Sequence, residues 1–338
     1  MPDYDSLIVV SFGGPEGPED ILPFLENVLR GRNVPRQRML QVAEHYRQLG
    51  GVSPLNAQNR ALIEALQREL TEHGPQLPIF FGNRNWHPFL SDALREMAHR
   101  GLKRALAFFT SPYSSYSSCR QYRENIAAAQ HEVGPGAPQV EKVRAYYNHP
   151  GFIAAMTDCA AAALAEIPPQ RRTIARMLYS AHSIPVSMAQ NCRYELQLRE
   201  ASRLVSAALG HSHWQLVYQS RSGPPTQPWL EPDVGDALRQ IAQEGSTRDA
   251  IIVPIGFISD HMEVLYDLDT EARELAVQLG LNLVRAATVG THPRFIQMIR
   301  ELVTERIEQW PERPALGDHG PSHDVCPLDC CLPSSQPR

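Results

Sequence analysis

Short apolar runs alternate with helical segments along almost the whole chain, and this alternation constrains the fold more than any other feature. The runs with strand character are 7–12, 79–82, 105–110 and 140–145 in the first half and 173–180, 214–220, 250–255 and 282–286 in the second. Strands that alternate with helices pair in parallel, because each connection returns along a crossover helix. The sequence therefore predicts an α/β fold of two similar Rossmann-like domains, each a parallel sheet flanked by helices, with a cleft between them.

The chain is long enough for two such domains. Its 338 residues fit about two domains of ordinary size. We place the N-terminal domain at 1–148 and the C-terminal domain at 149–291, and we expect the final helix, 292–310, to pack near the N-terminal domain. Residues 311–338 are rich in Pro, Gly, Asp and His before three late cysteines, which indicates a linker and a Cys-rich tail.

Charge and hydropathy argue against several classes of function. A formal net charge of −5 and the lack of a Lys/Arg run predict no nucleic-acid partner. No apolar run approaches the roughly 20 residues that span a bilayer, so no transmembrane segment is expected, and weak membrane contacts stay open. The N-terminus has acidic residues where a signal peptide needs basic ones, and the predicted location is cytoplasmic. Neither a GxGxxG nor a Walker-type loop occurs, which argues against nucleotide chemistry.

The segment 251–271 joins a buried strand to an acidic helix. Ser259 and Asp260 lie at the junction, and either is a plausible helix cap. Three acids then recur at every fourth residue, on one face of an α-helix: Glu263, Asp267 and Glu271. A solvated acidic face is the ordinary explanation. Because sites form at the carboxyl ends of strands in open α/β sheets, a path for a cation is the alternative.

A histidine occupies the equivalent place after another strand. His182 follows 173–180, and Glu263 follows the strand of the neighbouring unit. One imidazole and one carboxylate that face each other across a cleft can bind a divalent metal or pass protons. A structural histidine is the ordinary alternative. A Ser-His-Asp hydrolase is a further one, but Ser180 and Ser183 lack the G-x-S-x-G turn that presents a nucleophilic serine.

A Ser/Tyr-rich loop at 111–118 leads into a helix that carries aromatic and basic side chains. The side chains of interest are Tyr113, Tyr116, Arg120, Tyr122 and Arg123. Tyrosines offer flat apolar faces, and arginines offer paired donors for carboxylates. This mixture suits a flat aromatic ligand that bears carboxylates, although an ordinary surface loop is equally compatible with it.

Three of the six cysteines lie close together near the end of the chain: Cys326, Cys330 and Cys331. These thiolates can supply most of a metal or Fe–S site, and a fourth from elsewhere would complete it. Zinc competes with an Fe–S cluster, since four thiolates suit both. A reduced tail without a metal is the third alternative.

Taken together, the motifs of this chain resemble those of the ferrochelatase family, from Ser6 to about Ile307. The resemblance rests on SFGGP at 11–15, GGVSPL at 50–55, SSYS at 114–117, SAHSIP at 180–185 and SDHMEVLYDLD at 259–269. The segments HSIPVSMA and SDHMEVLYDLDTEA are most similar to those of the actinobacterial branch, whose enzymes act on coproporphyrin III. The resemblance implies two class II chelatase domains that bind Fe²⁺ and a porphyrin, and it leaves contacts with haem-pathway proteins open.

The resemblance implies an enzyme of haem biosynthesis that inserts Fe(II) into coproporphyrin III to give Fe-coproporphyrin. A protoporphyrin IX ferrochelatase is the first alternative, and a non-catalytic tetrapyrrole-binding protein is the second. Insertion releases two pyrrole protons, for which a base with a pKa near neutrality is needed. His182 matches the family's base and metal ligand, and Glu263 matches its carboxylate partner. Asp267 and Glu271 match an acidic path for metal or protons.

The resemblance also implies residues around the porphyrin and a cofactor. Ser53 and Tyr122 match positions that contact the ring, and Arg30 matches a basic stretch near the propionates. Phe12 lies where some relatives have a tyrosine that reaches the metal, and it brings no hydroxyl. A [2Fe–2S] cluster is expected on four thiolates, which are those of Cys159, Cys326, Cys330 and Cys331.

Overall fold

Two four-stranded sheets form the fold, and every strand pair within them is parallel. The computed structural model describes residues 4–31, 34–224 and 226–333. The strands of the first sheet are β1 (Ser6–Ser11), β2 (Ile79–Asn83), β3 (Arg104–Phe109) and β4 (Gln139–Lys142). Those of the second are β5 (Arg176–His182), β6 (Trp214–Gln219), β7 (Asp249–Val253) and β8 (Asn282–Arg285). The predicted α/β class with two parallel sheets is confirmed.

Both sheets have the same strand order, so the two halves of the chain repeat one plan. The first sheet is ordered β2-β1-β3-β4 and the second β6-β5-β7-β8. In each half the first strand pairs with the two strands that follow it in sequence, so that β5 lies between β6 and β7. The loops that leave the carboxyl ends of these strands are therefore neighbours, which is where sites form in such sheets.

Helices connect the strands and cover the sheets. In the first half they are α1 (Ile21–Leu29), α2 (Arg36–Gln48), α3 (Leu55–His73), α4 (Leu90–His99) and α5 (Gln121–Val133). In the second half they are α6 (Pro150–Ala165), α7 (Pro169–Arg172), α8 (Val186–Ala189), α9 (Tyr194–Leu209), α10 (Val234–Glu244), α11 (Met262–Val264), α12 (Arg273–Gln278) and α13 (Pro293–Glu308). A 3₁₀ turn covers Pro18–Asp20, and π-helical segments cover Tyr116–Arg120 and Leu265–Ala272.

Strand β1 shows how the sheets are buried on both faces. Leu7 and Val9 belong to the large core that joins both halves, whereas Ile8 and Val10 belong to the core under α4 and α5. None of these four side chains has exposed surface. A parallel sheet needs cover on both faces because its strands are near-continuous apolar runs.

The last helix, α13, packs against α3 of the first half and α6 of the second. A buried ion pair secures it: Nε and Nη2 of Arg144 donate to the two carboxylate oxygens of Glu305 at 2.8 and 3.0 Å. The expectation that 292–310 packs near the N-terminal domain agrees with its contact with α3, and the helix also packs against α6 of the second half. The domain limits of 1–148 and 149–291 stay predictions.

Two features near the strand ends differ from the sequence-based expectation. His182 is the last residue of β5 rather than the residue after the strand, because it still pairs with Gln219 of β6. Leu265–Ala272 has π geometry instead of the predicted α geometry, and the π-helical segment Tyr116–Arg120 begins inside the predicted loop 111–118. Such short π segments are frequent at functional sites, and both lie beside predicted site residues.

The tail continues past α13 without regular structure. Residues 311–333 form neither helix nor strand, and the predicted tail extends over 334–338, which lie outside the described residues. Among the described helices, none is both long and apolar enough to cross a bilayer.

Candidate active site

Two neighbouring strand ends bring the predicted histidine and carboxylate together. His182 closes β5, and Glu263 lies in α11, which follows β7. Nε2 of His182 and Oε2 of Glu263 are 3.6 Å apart, and the side chains are 32% and 49% exposed. Nδ1 of His182 lies 2.5 Å from the backbone oxygen of Ser183, to which it donates. This bond leaves Nε2 as the nitrogen that faces Glu263.

The pair holds one proton at neutral pH. Burial alone lowers the pKa of His182, but the carboxylate of Glu263 outweighs burial, and the pKa rises to about 9. Burial raises the pKa of Glu263, but the imidazolium overrides it and lowers the pKa to about 2. Because the two groups titrate together, the resting state is an imidazolium beside a carboxylate. His182 can therefore act as a base or a metal ligand only after it has lost this proton.

Asp267 is the next acid along the chain and is held by two donors. The hydroxyl of Ser220 donates to Oδ2 of Asp267, and the side-chain amide of Gln219 donates to the same oxygen at 3.3 Å. Gln219 also donates to the backbone oxygen of Glu263 at 3.2 Å, which fixes the two acids relative to each other. Burial, and then the charge of Glu263, raise the pKa of Asp267 to about 7. A carboxyl group with this pKa can take up and release protons near neutrality.

Asp267 and Glu271 stand on the π-helix Leu265–Ala272 and not on the predicted α-helix, whereas Glu263 lies in α11 just before it. In a π-helix each N–H bonds to the carbonyl five residues earlier, so the turn is wider than an α-turn. Residues four apart overshoot one α-turn and fall short of one π-turn, so the acids keep to one side in either geometry. Besides burial, the charges of both Glu263 and Glu271 raise the pKa of Asp267, which lies between them. Glu263 and Glu271 are exposed and Asp267 between them is only partly so, so the row joins the cleft at Glu263 to the surface at Glu271.

The loop before this helix is held by charge and not by a side-chain cap. The predicted cap from Ser259 or Asp260 is wrong, because His261 precedes the helix and its side chain makes no capping hydrogen bond. The carboxylate of Asp260 instead accepts from Arg285 at 3.1 Å. The N–H of Asp260 donates to the side chain of Gln58 in α3 at 2.8 Å, which ties the loop to the first half of the chain.

Two aromatic rings of the first half, Phe12 and Tyr122, lie beside Arg84, which the sequence analysis did not predict as a site residue. Phe12 is 37% exposed. The guanidinium of Arg84 lies over the rings of Phe12 and Tyr122, at 5.6 and 4.6 Å from their centroids. The ring of Tyr122 is buried beside Phe109, with 5.1 Å between the centroids. Arg84 follows β2, and cation–π contacts of this kind leave no mark in local sequence.

The other predicted substrate residues of the first half lie at different depths. Ser53 is buried, and its N–H donates to the carbonyl of Pro15 at 2.8 Å. A Cβ added to Gly14 would lie 2.7 Å from Cβ of Ser53, so only glycine permits this approach. Arg30, at the end of α1, is exposed and donates to Asn27 at 2.6 Å.

A contact between the halves covers the acidic helix and was not predicted. The ring of His45 in α2 stacks on that of Tyr266, with 3.9 Å between centroids and 9° between planes. Burial raises the pKa of the neighbouring Tyr46 well above its usual range, and the charge of Glu263 adds to this effect. The partners are far apart in the chain, so no local pattern reveals the contact.

Predicted ligands gather on the tail: Cys326, Cys330 and Cys331. Donor atoms of His323, Cys326 and Cys330 all lie within 4.8 Å of one another. The sulfur of Cys331 is 3.5 Å from that of Cys330. The predicted fourth ligand, Cys159, is not part of this group among the described residues, and its thiol faces the carbonyl of Thr288 at 3.9 Å.

Residues 4–307 match the family model described as Ferrochelatase. The chain belongs to the ferrochelatase family. A relative from Rhodopirellula baltica, named Ferrochelatase, is 59% identical over 98% of this chain and 94% of its own length. The coproporphyrin III ferrochelatase of Frankia alni is 52% identical, over 98% of this chain and 87% of its own length. The coproporphyrin III ferrochelatase of Streptomyces coelicolor is 49% identical, over 100% of this chain and 97% of its own length.

Solved chelatase structures share the fold at low sequence identity. The sirohydrochlorin chelatase SirB from Bacillus subtilis subspecies spizizenii, in complex with cobalt, has a TM-score of 0.53 and 10% identity over 91% of this chain and 98% of its own. DR2241 from Deinococcus radiodurans, which has structural similarity to chelatases, has a TM-score of 0.54 and 15% identity, over 89% of this chain and 55% of its own. These likenesses confirm the predicted chelatase fold alone. Family membership makes the protein a metal-inserting chelatase whose substrates are Fe²⁺ and a porphyrin.

Proposed function

We propose that this ferrochelatase acts on coproporphyrin III and yields Fe-coproporphyrin for haem biosynthesis. Relatives at 52% and 49% identity carry that name, whereas the relative at 59% is named Ferrochelatase only. Coproporphyrin III bears more carboxylates than protoporphyrin IX, and arginines pair well with carboxylates. Exposed arginines stand at the end of α1 and the start of α2: Arg30, Arg36 and Arg38.

The observation that carries the insertion chemistry is the pair of His182 and Glu263. Their closest atoms are 3.6 Å apart at adjoining strand ends, and both side chains are partly exposed. We assign His182 as the base that removes pyrrole protons and as an Fe²⁺ ligand. Glu263 is its partner, whose negative charge balances the entering cation.

The resting proton of His182 has to move before the imidazole can act. Asp267 is the acceptor that the geometry supports, since its pKa is about 7 and Gln219 links it to Glu263. Once His182 is neutral, Nε2 takes a proton from the porphyrin as Fe²⁺ enters. The second proton leaves by the same row of acids, of which Glu271 is the exposed end.

Substrate preference is decided by kcat/KM with Fe²⁺ and each porphyrin. We expect coproporphyrin III to be preferred by at least about tenfold, because unpaired cations in the cleft penalise the substrate with fewer carboxylates. A preference for protoporphyrin IX would overturn the substrate and leave the family untouched. His182→Ala should bind porphyrin and lose about 10²- to 10⁴-fold in insertion rate, and near-normal turnover would refute the assigned base.

A non-catalytic tetrapyrrole-binding protein is the second candidate. Both candidates quench the fluorescence of metal-free porphyrin when Fe²⁺ is present, but a binding protein stops at one equivalent. We expect continued loss of fluorescence over many equivalents of porphyrin per protein. A plateau at one equivalent in the presence of excess Fe²⁺ would favour the binding protein.

We also propose a [2Fe–2S] cluster on the tail. The donor chemistry fits, since three closely spaced thiols are present and two of them converge with His323. Such a cluster supplies a one-electron centre when bound. The ligands that the family resemblance implies are Cys159 of the body and Cys326, Cys330 and Cys331 of the tail. Visible absorption and acid-labile sulfide of anaerobically purified protein test the cluster, and a colourless protein that holds zinc would overturn it.

A further inference from the structure

Most of the cysteines meet where the tail crosses the body, and one of them belongs to the body. Cys119 lies in the π-helical turn before α5, and its thiol is close enough to that of Cys326 for the two to interact. Cys119 is buried, whereas Cys326 is only partly so. A thiol from the folded core thus reaches the tail directly. Cys159, whose thiol faces the carbonyl of Thr288, does not belong to this group.

The tail is positioned on this turn by several bonds and does not hang free. Arg120, next to Cys119, donates from Nη1 to the backbone oxygens of Leu328 and Cys330 at 2.8 and 3.0 Å. Lys142 of β4 donates to the backbone oxygen of His323 at 3.3 Å. The backbone that carries His323 and Cys330 is therefore bonded to the same part of the body that carries Cys119.

The donors fall into two close pairs. The thiol of Cys119 interacts with that of Cys326, and the sulfur of Cys330 lies 3.7 Å from Nε2 of His323. Cys326 joins the pairs, because its sulfur, that of Cys330 and the His323 ring lie within 4.8 Å of one another. Ligand atoms on one tetrahedral zinc with thiolate bonds of about 2.3 Å are separated by roughly 3.8 Å. The 3.7 Å between the sulfur of Cys330 and Nε2 of His323 is near that value.

Local charge also suits a thiolate-rich centre. Lys142 and Arg123 provide positive charge beside Cys326. Several thiolates at one place repel each other, and fixed cations reduce that repulsion. Cys331, by contrast, is buried and has the thiol of Cys192 among its neighbours. Its sulfur lies 3.5 Å from that of Cys330, but among the described residues the group whose donor atoms all lie within 4.8 Å of one another is His323, Cys326 and Cys330.

We propose that Cys119, His323, Cys326 and Cys330 bind a metal centre, with Cys119 and not Cys159 as the ligand from the body. Three thiolates and one imidazole suit a thiophilic centre, either an Fe–S cluster with one histidine ligand or a single zinc ion. The identity of the metal rests on the proposed cluster, whereas the ligand set does not. The centre fastens the tail to the turn that leads into α5, the helix that carries Tyr122.

Metal content of single variants tests the ligand set. Iron, sulfide and zinc per chain are measured after anaerobic purification and after reconstitution with iron and sulfide. We expect Cys119→Ser and Cys326→Ser to lower bound metal at least about tenfold, because each removes a ligand. Cys159→Ser and Cys192→Ser are matched controls that should retain the wild-type content. Loss of metal in Cys159→Ser with retention in Cys119→Ser would overturn the proposal.

A second comparison tests the imidazole. His323→Ala should lower metal content, and His323→Cys should restore it with a changed visible spectrum, because a thiolate replaces an imidazole. Cys331→Ser should keep the wild-type content and spectrum. The opposite result, with Cys331→Ser depleted and His323→Ala unchanged, would remove His323 from the ligand set.

The two proposals fail in different ways. Zinc without sulfide in the wild-type protein would refute the proposed [2Fe–2S] cluster. The zinc content of the same variants would then test the ligand set. A wild-type protein that binds neither iron nor zinc, even after reconstitution, overturns both. Circular dichroism of each variant confirms that the body has remained folded.

Discussion

Glu263→Gln isolates the effect of one charge on His182, since glutamine keeps the size of the side chain. At 3.6 Å a pair of unit charges is worth about 1 kcal/mol in water and about 4–5 kcal/mol at an effective dielectric constant of 20. Both side chains are a third to a half exposed, so solvent screening favours the lower part of that range, about 1–2 kcal/mol. The pKa of His182 should therefore fall from about 9 by about one pH unit.

An NMR titration of labelled histidine side chains measures this pKa directly. Glu271→Gln is the matched control, because it removes the same charge at the exposed end of the row. We expect the control to leave the pKa of His182 unchanged. A pKa that stays near 9 in Glu263→Gln would show that the Ser183 carbonyl and Asp267 hold the proton, and the assigned partnership would fail.

The same pair predicts how stability depends on pH. The folded pKa of His182 lies above the unfolded value of 6.5, so its stabilising effect is complete below pH 6.5 and is lost as the pH rises through about 9. The folded pKa of Glu263 lies below 4.5, so its effect is complete above pH 4.5 and is lost as the pH falls through about 2. Denaturant unfolding of Glu263→Gln should differ most from wild type between pH 4.5 and 6.5 and least above pH 9.

Three further substitutions test other parts of the structure. Asp267→Asn removes a carboxyl group whose pKa is about 7, so kcat should fall about 10²-fold and lose its pH dependence near 7. Porphyrin binding, measured by fluorescence, should stay unchanged. Wild-type kinetics in this variant would exclude Asp267 from proton transfer. Gly14→Ala should lower the free energy of unfolding by about 1–3 kcal/mol in urea, because its Cβ meets a serine Cβ at 2.7 Å. Gly136→Ala is the control, because no heavy atom lies within 4 Å of its new Cβ, and it should leave the free energy of unfolding unchanged. Equal losses of stability in the two variants would refute the crowding argument. Arg144→Met leaves Glu305 buried without its bidentate partner and should lower the free energy of unfolding by about 3–5 kcal/mol, which is measured as a lower Tm. Adding Glu305→Leu should partly restore the Tm. An unchanged Tm in Arg144→Met would contradict this prediction.

The sequence predicted the fold well because parallel strands leave a clear pattern. Strand β7, for example, is a run of apolar residues after Asp249, and all five of its residues are buried. The end of β5 was misplaced because pairing between His182 and Gln219 depends on a partner strand that is distant in sequence. The π segments were missed for a related reason. Their residues are compatible with an α-helix, and what widens the turn is the surrounding packing.

Parts of the candidate site follow from local sequence and parts do not. His182 and Glu263 could be paired in advance because the sequence places both near the carboxyl ends of strands, and those strands adjoin in the sheet. The contacts of Arg84 with two rings and the stack of His45 on Tyr266 join segments that only the fold brings together. Local spacing likewise identified the tail thiols and said nothing about which thiol of the body they meet.

The geometry around Asp267 bears on whether the acidic row carries iron inward or protons outward. Its Oδ2 accepts from both Ser220 and Gln219, and a metal ion on that oxygen would compete with these donors. Ser220 has a φ of 60°, a strained value for a residue other than glycine, so surrounding structure fixes its hydroxyl in place. With a pKa of about 7 the carboxyl group is protonated about half of the time at neutrality, and protons compete with metal for it. We infer that the row conducts protons away from His182, and that iron reaches the histidine from the cleft.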